Sequence, residues 1–435
     1  MKHFIAMLAV FFLAQPLIAA TKVVEVVSPG GITAWLVEEQ SIPMLSVSLS
    51  FQGGAALDAI EKQGATNLMM GLLEEGAGNL DATAFLEASD DLGARFRFGA
   101  GRDSVSISAS MLTSHLSESV ALLRLALVSP NFDNIAFERV RGQLNSSIRS
   151  AATNPRSIAG MAFNNILYGD HASGRDIHGT LESVASLTQQ DMRIAHRRAL
   201  TRDRVVIGVV GAITPAELGL LLDELLGDLP RSSPGAIADT VVASSSGVTV
   251  IDLDTPQSVA LFGHRGLPRQ DPDFLAAYVL NHIMGGRVST ARLNQEVREK
   301  RGLTYGISSF LMPFRHGPAF MGQFSSGNES MKQAIEIVRN EWENMAVNGI
   351  TQQELDIAVR YLTGAYPLRF EGNAEIASII TGLQISGIGI DYPQIRNDLV
   401  SALTLNDLNR VATRIFLPGE LHFVVVGRPV GLSSP

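Results

Sequence analysis

Two side chains in the second half of the chain could act together on a peptide bond. Arg298 and Tyr305 stand seven residues apart in a segment that reads Leu-Asn-Gln-Glu-Val-Arg-Glu-Lys-Arg-Gly-Leu-Thr-Tyr. An arginine fork can bind a backbone carbonyl, and a tyrosine hydroxyl can donate to the oxyanion that develops when water attacks a peptide. The simpler alternative is that Arg298 pairs with a nearby carboxylate and that Tyr305 is a half-buried strand aromatic.

The elements on either side of this pair must set its geometry. The pattern predicts a helix over residues 290–301, which Gly302 ends, because glycine readily adopts the left-handed conformation that closes a helix. A strand over residues 305–311 then follows and carries Tyr305. A second helix is predicted over residues 64–75 in the first half of the chain.

The residues that usually bind a catalytic metal are not arranged for it. The chain contains no cysteine, which excludes disulfides and thiolate sites, and no two of its nine histidines stand three or four residues apart. A catalytic zinc needs about three protein ligands. Glu74 and Glu75 are adjacent carboxylates without an imidazole, and a solvated helix end explains them. His171 and His178 flank a polar loop and are predicted to be surface residues.

The chain contains the same pattern twice. Residues 188–211 and 404–427 each begin with Thr-x-x-Asp, continue as a helix, and finish as a β-branched strand closed by glycine, at equal spacing. Threonine followed three residues later by an acid resembles a capping box. A matched cap, helix, strand and glycine therefore predicts a duplicated fold.

A Ser-, Gly- and Pro-rich stretch over residues 231–246 separates the two copies and is predicted to be an exposed linker. The predicted domains are residues 21–230 and residues 247–435. Within each, strands cluster apart from helices, which favours an α+β layer of sheet and helices over a doubly wound fold.

The first twenty residues are typical of an export signal: a short basic start, an apolar run and a small-residue exit. The run is too short to span a bilayer, and no later stretch is long enough. We therefore expect a periplasmic protein, or a secreted one, without a membrane span after signal cleavage. The formal net charge of −9 lacks the basic footprint of a nucleic-acid-binding protein.

The segment around Arg298 resembles the second half of the M16 family of zinc metallopeptidases, which includes pitrilysin, insulinase and mitochondrial processing peptidase. The family pattern is Gly-Gly, then Ser-Arg-Leu, then Arg-Glu-x-x-Gly-Leu-x-Tyr. The matching residues here are Gly285, Gly286, Ser289, Leu293, Arg298, Glu299, Gly302, Leu303 and Tyr305. The resemblance implies two homologous α/β-sandwich domains of the LuxS/MPP-like metallohydrolase fold, which together form half of a clamshell. It also implies that Arg298 and Tyr305 face a zinc site across a cleft.

The same resemblance places the zinc motif, His-x-x-Glu-His on a helix, where this chain has other residues. In register, Asn67 replaces the first histidine, Met70 the glutamate and Gly71 the second histidine. The third ligand, a glutamate on a later helix, falls near Ser147. All four positions are vacant, so we expect no cofactor and no catalytic zinc in this chain.

The resemblance further implies that this chain is the non-metal subunit of an exported heterodimeric M16B-type peptidase. The partner would be an M16 subunit with His-x-x-Glu-His intact, which would hold the zinc. Arg298 and Tyr305 would act in trans on a peptide or unfolded-protein substrate at that partner's site, and this chain alone would be inactive. The alternative is a non-catalytic scaffold, or a peptide-binding or chaperone module, of the same fold.

Overall fold

A computed structural model describes residues 22–232, 235, 237–243 and 245–434 of the chain. The predicted signal segment, residues 1–20, lies outside the described residues. No helix in the described part of the chain is both long and apolar enough to cross a membrane.

The first half forms a mixed six-stranded sheet in the order β1-β2-β8-β3-β7-β6, with a two-stranded ribbon, β4 and β5, beside it. Its strands are β1 (Val24–Val27), β2 (Thr33–Glu38), β3 (Met44–Gln52), β4 (Gly76–Ala77), β5 (Leu80–Asp81), β6 (Arg95–Ala100), β7 (Ser104–Leu112) and β8 (Val205–Gly211). Its helices are α1 (Ala65–Gly71), α2 (Ala82–Asp91), α3 (Leu116–Val128), α4 (Asn134–Thr153), α5 (Pro155–Tyr168), α6 (Leu181–Ala185), α7 (Gln189–Ala199) and α8 (Pro215–Leu226).

The second half forms a five-stranded sheet in the order β11-β12-β10-β13-β9. Its strands are β9 (Gly247–Ile251), β10 (Gln257–Arg265), β11 (Ile307–Met312), β12 (Ala319–Gly327) and β13 (His422–Val426). Its helices are α9 (Phe274–Gly285), α10 (Met331–Asn348), α11 (Gln352–Ala365), α12 (Asn373–Ile385), α13 (Tyr392–Ser401) and α14 (Leu405–Ile415).

The two sheets share one topology, so the predicted α+β fold with a duplicated domain is confirmed. In each, a long central strand pairs antiparallel with two neighbours: β3 with β7 and β8, and β10 with β12 and β13. Each also has one parallel pair, β2 with β8 and β9 with β13.

The repeated motif occupies the same place in both halves. Thr188 accepts from the Asp191 amide at 3.3 Å and Thr404 from the Asp407 amide at 3.2 Å, at the starts of α7 and α14. The carboxylate of each aspartate in turn accepts a hydrogen bond from the backbone amide of its threonine, so both are capping boxes.

Each sheet is covered on one face by helices of its own half and on the other by a helix of the opposite half. Helix α12 packs its Ala377 and Ile380 against Trp35, Val37 and Val210 of the first sheet. Helix α5 likewise packs against β10 and β13 of the second sheet. The predicted boundary therefore separates the two sheets but not the helices that cover them.

Glycine explains how closely α12 approaches. A Cβ on Gly208 of β8 would collide with the carbonyl oxygen of Ala377 and would lie 2.5 Å from Thr381 Oγ1. Gln384 Nε2 donates to the carbonyl oxygen of Ile207 at 2.8 Å. The Thr381 hydroxyl donates to Ala377 of its own helix at 2.8 Å and lies 3.2 Å from the carbonyl oxygen of Ser48. The helix is thus both packed on the sheet and hydrogen-bonded to it.

The predicted linker, residues 231–246, lies partly outside the described residues. In its described part, the Thr240 amide donates to the His316 carbonyl at 3.0 Å and the Ala243 amide to the Leu167 carbonyl at 2.8 Å. The expectation of an exposed linker is wrong at Val242, which is buried with α5 against the second sheet. The prediction rests on the Ser and Gly content of the stretch, which does not reveal a single buried apolar residue.

Candidate substrate-gripping site

Arg298 lies on a π-helical turn, Asn294–Glu299, rather than on the regular α-helix predicted over residues 290–301. The Lys300 amide donates to the carbonyl oxygen of Gln295, five residues earlier, at 3.0 Å. A pattern of apolar residues cannot reveal one extra residue in a turn, which is why the α-helical prediction was wrong here. Single π turns occur frequently at functional sites.

Gly302 ends this turn as predicted. Its φ of +61° lies in the left-handed region that favours glycine. The Gly302 amide donates to the Arg298 carbonyl oxygen at 2.8 Å, and the Leu303 amide donates to that of Val297 at 3.0 Å. These bonds satisfy carbonyl groups that a helix end leaves without a partner.

Tyr305 does not lie in a strand, because β11 begins only at Ile307. Its side chain is 97% exposed, so the alternative of a half-buried strand aromatic is wrong. The loop around it is held tightly: Ser326 Oγ donates to the Leu303 carbonyl at 2.6 Å, and Thr304 Oγ1 to the Ser325 carbonyl at 2.7 Å. The Tyr305 side chain is therefore almost fully exposed on a loop that hydrogen bonds hold in place.

The Arg298 side chain is also accessible to solvent. Its side chain is half exposed, and its guanidinium lies 3.6 Å from the carboxylate of the adjacent Glu299. The alternative prediction is that Arg298 pairs with a nearby carboxylate. Among the described residues its only such partner is Glu299, in a long, solvent-exposed ion pair that is worth at most about 1 kcal/mol. Arg298 and Tyr305 line one polar groove of about 340 Å³, together with Gln257, Thr304, Ser325 and Ser330.

The positions that the resemblance assigns to the zinc ligands lie on α1 and α4 of the first half. Met70 is buried in the core, Asn67 is half-buried, and a Cβ on Gly71 would lie 3.2 Å from Val140 Cγ1 of α4. Ser147 is exposed and donates to the Gln143 carbonyl of its own helix at 3.1 Å. An apolar thioether, an amide, a glycine and a hydroxyl do not form a zinc site.

Helix α1 is shorter than predicted. The pattern indicated residues 64–75, whereas the helix ends at Gly71. Its start is fixed by Asp58, whose carboxylate accepts from the Thr66 amide at 3.1 Å and from the Thr66 hydroxyl at 2.6 Å. After Gly71 the chain tightens, since the Leu72 amide donates to the Met69 carbonyl three residues back. The apolar pattern continues through this turn and so overstated the helix.

The carboxylates beyond α1 serve contacts other than metal binding. Glu75 forms an ion pair with Arg139 of α4. Burial, with a smaller contribution from Glu75, raises the pKa of Glu74. Within residues 22–232, 235, 237–243 and 245–434, no group of three or more His, Asp or Glu side chains could hold a metal ion. The donor set of the described chain therefore does not fit a resident zinc.

The two loop histidines have structural partners. His171 Nδ1 accepts from the Ser173 amide at 3.1 Å. His178 Nδ1 lies 2.7 Å from the Asp176 carboxylate, and the hydrogen bond to Asp176 raises the pKa of His178. They organise the loop.

A larger groove lies in the first half, beyond the end of α1. It encloses about 1280 Å³ between α2, β6 and the start of α4. Phe85, Phe96 and the exposed Leu86 and Ile135 contribute apolar side chains to its lining. The lining also contains three arginines and five carboxylates: Arg95, Arg97, Arg139, Glu74, Glu75, Asp81, Asp90 and Asp133. Ligand grooves usually combine apolar surface with placed polar groups, and this groove has both, with an unusually high share of charged side chains. No sequence pattern indicated this groove, because its residues come from separate elements.

Comparison with known proteins agrees with this geometry. Residues 35–181 match the family model described as Insulinase (Peptidase family M16), and residues 186–362 match the model described as Peptidase M16 inactive domain. The chain belongs to the M16 family.

Its relatives include one described as a non-peptidase homologue and others described as zinc proteases. It is 22% identical over 395 residues to a protein of Helicobacter pylori described as "Non-peptidase homolog YmxG", covering 89% of this chain and 90% of that one. It is 21% identical over 387 residues to "Uncharacterized zinc protease YmxG" of Bacillus subtilis, covering 89% and 94%. A crystal structure of a peptidase M16 inactive domain from Pseudomonas fluorescens is 25% identical with a TM-score of 0.88, covering 95% of this chain and all of that one. This chain is thus an M16 member of the type that lacks the zinc ligands.

Proposed function

We propose that this chain is the non-metal subunit of a heterodimeric M16B-type peptidase and that it supplies Arg298 and Tyr305 to a peptide held at its partner's zinc. The partner is an M16 chain that retains His-x-x-Glu-His. The zinc and the glutamate that activates water belong to that partner, and this chain provides only binding and electrostatic assistance.

The proposal depends on one observation, the exposure of Tyr305 on a hydrogen-bonded loop. A tyrosine that is 97% exposed gains nothing from packing, yet the two residues before it, Leu303 and Thr304, are both hydrogen-bonded to β12. Fixed donors aimed at developing charge are what electrostatic catalysis requires, because they need no reorganisation during the reaction. Arg298 lines the same groove, where its guanidinium has five N–H donors to offer a peptide carbonyl.

The first twenty residues bear on the place of action. They have the composition of an export signal, so we place the complex in the periplasm, or outside the cell if it is secreted.

The test is reconstitution with an M16 chain that carries His-x-x-Glu-His, using a quenched fluorescent peptide. We expect no hydrolysis by this chain alone and chelator-sensitive hydrolysis by the pair. Tyr305→Phe should lower kcat/KM of the pair about 100-fold, roughly 2.7 kcal/mol, without changing its assembly on gel filtration.

Tyr361→Phe is the matched control. Tyr361 is an exposed tyrosine of the same half whose ring stacks on His282, and phenylalanine preserves that stack. Turnover that is equal in the Tyr305→Phe pair and the control would remove the catalytic role from Tyr305.

The larger groove of the first half favours a second candidate, a peptide-binding module or scaffold without catalysis. Its apolar side chains could contact an unfolded segment whether or not a zinc partner is present. Under this candidate the chain binds peptides alone, and Tyr305→Phe changes nothing. The reconstitution experiment separates the two.

A further inference from the structure

The π turn that carries Arg298 is tied to a distant helix by one arginine. Arg292 Nε donates to Glu354 Oε1 at 2.7 Å and Arg292 Nη2 to Glu354 Oε2 at 2.9 Å, which is a bidentate pair. Arg292 Nη2 also donates to the carbonyl oxygen of Gly349 at 2.8 Å. Both side chains are mostly buried, at 15% and 27% exposure, so solvent screens this pair less than a surface pair.

Glu354 is itself fixed in place. It completes the capping box at the start of α11: its carboxylate accepts from the Thr351 amide at 2.8 Å and from the Thr351 hydroxyl at 2.9 Å. Burial alone would raise the pKa of Glu354, but the hydrogen bonds from Arg292 and Thr351 outweigh it and lower the pKa. The carboxylate that receives Arg292 is therefore ionised at neutral pH and rigidly held.

The start of the π turn has further anchors. Asn294 is buried, and its Nδ2 donates to the carbonyl oxygens of Gly286 at 3.3 Å and Val288 at 3.2 Å. Leu293 and Val297 are fully buried in the core of the second half. Arg298 comes directly after Val297 and is the exposed end of this anchored segment.

We propose that Arg292 and Glu354 are positioning residues that hold the π turn in register and so aim Arg298 at the peptide. The proposal rests on the proposed function for the role of Arg298, but not for the structure of the turn. A π turn contains one residue more than an α turn would. If the turn relaxes to α-helical geometry, the direction of Arg298 changes by roughly 100° about the helix axis.

The first experiment needs only the full chain. Hydrogen exchange followed by mass spectrometry reports the amides of residues 294–303. Glu354→Gln keeps a residue that can complete the capping box but removes the charged, bidentate acceptor. Arg292→Lys keeps the charge but loses the planar fork. We expect each variant to speed exchange in this segment at least tenfold and to leave the rest of the second half unchanged.

The matched control is Arg265→Lys. Arg265 and Glu420 form another bidentate pair of the same half, at 2.7 and 2.9 Å, away from the π turn. Its loss should leave exchange in residues 294–303 within twofold of the wild type. Wild-type exchange in the Arg292→Lys and Glu354→Gln variants overturns the proposal, as does acceleration by Arg265→Lys to the same extent.

The second experiment is a double-mutant cycle in the assembled pair. A residue that acts through another loses its effect once that other residue is gone. Arg292→Lys should lower kcat/KM about tenfold in the wild-type background and less than twofold in an Arg298→Ala background. Equal effects in both backgrounds overturn positioning through Arg298. If Arg298→Ala alone leaves turnover unchanged, the proposed function fails for Arg298, and the exchange measurement decides the structural role by itself.

Discussion

Replacing Gly208 with alanine tests whether the two halves are locked together through α12. The new Cβ would collide with the carbonyl oxygen of Ala377 and would lie 2.5 Å from Thr381 Oγ1 and 2.7 Å from Ile380 Cγ1. A backbone oxygen cannot rotate away as a flexible side chain can. Helix α12 must therefore move off the first sheet.

The magnitude depends on the contacts that this movement disturbs. Overpacking a well-filled core costs about 1–3 kcal/mol. The hydrogen bond from Gln384 to Ile207 would also be disturbed, which costs about 1 kcal/mol if it is lost. We expect the free energy of unfolding to fall by about 2–4 kcal/mol in total.

Urea unfolding followed by circular dichroism measures this as a lower midpoint at an unchanged slope. Gly142→Ala is the control: Gly142 lies within α4, and a Cβ there would meet nothing within 4 Å. Alanine should stabilise that helix by about 0.5–1 kcal/mol. A Gly208→Ala protein within about 0.5 kcal/mol of the wild type would refute the packing described for α12.

Two further predictions concern stability. Burial lowers the pKa of His264 to about 4, and its Nε2 accepts a hydrogen bond from Trp342 Nε1. Below pH 6.5 this histidine is therefore protonated in the unfolded chain but stays neutral in the folded chain. The free energy of unfolding should therefore fall by about 1.5 kcal/mol from pH 6.5 to pH 5 through this group. A His264→Gln protein that shows the same slope would contradict this prediction. Met70→Glu places a carboxylate at a position that is 1% exposed, which should destabilise the fold by about 3 kcal/mol or more at pH 7. The loss should be smaller near pH 5, where the carboxyl group is more often neutral. Asn67→Glu on the same helix is the comparison for Met70→Glu, because Asn67 is only half-buried; an equal loss in both would show that burial is not the cause.

Much of the architecture was predictable because it depends on local patterns. The Thr-x-x-Asp caps at Thr188 and Thr404, the strands after them and the closing glycines indicated the duplication, and all are present at the predicted places. The exchange of α5 and α12 between the halves was not predictable. An apolar helix face does not specify which sheet it will cover, since hydrophobic attraction has no direction.

The sequence did not predict the conformation of the candidate site. The resemblance selected Arg298 and Tyr305, and both line one groove. The π turn and the loop at Tyr305 depend on partners far along the chain, Glu354 for the first and Ser325 and Ser326 for the second. Contacts at such separations leave no periodic trace in a single sequence.

The zinc content of the purified chains tests the central claim most directly. Elemental analysis should find no stoichiometric zinc in this chain alone, even after incubation with the metal, because Asn67, Met70, Gly71 and Ser147 offer no ligand set. The reconstituted pair should contain one zinc, carried by the His-x-x-Glu-His chain, and Arg298→Ala should reduce turnover without changing that content. One tightly held zinc per copy of this chain, with chelator-sensitive hydrolysis by it alone, would contradict the account.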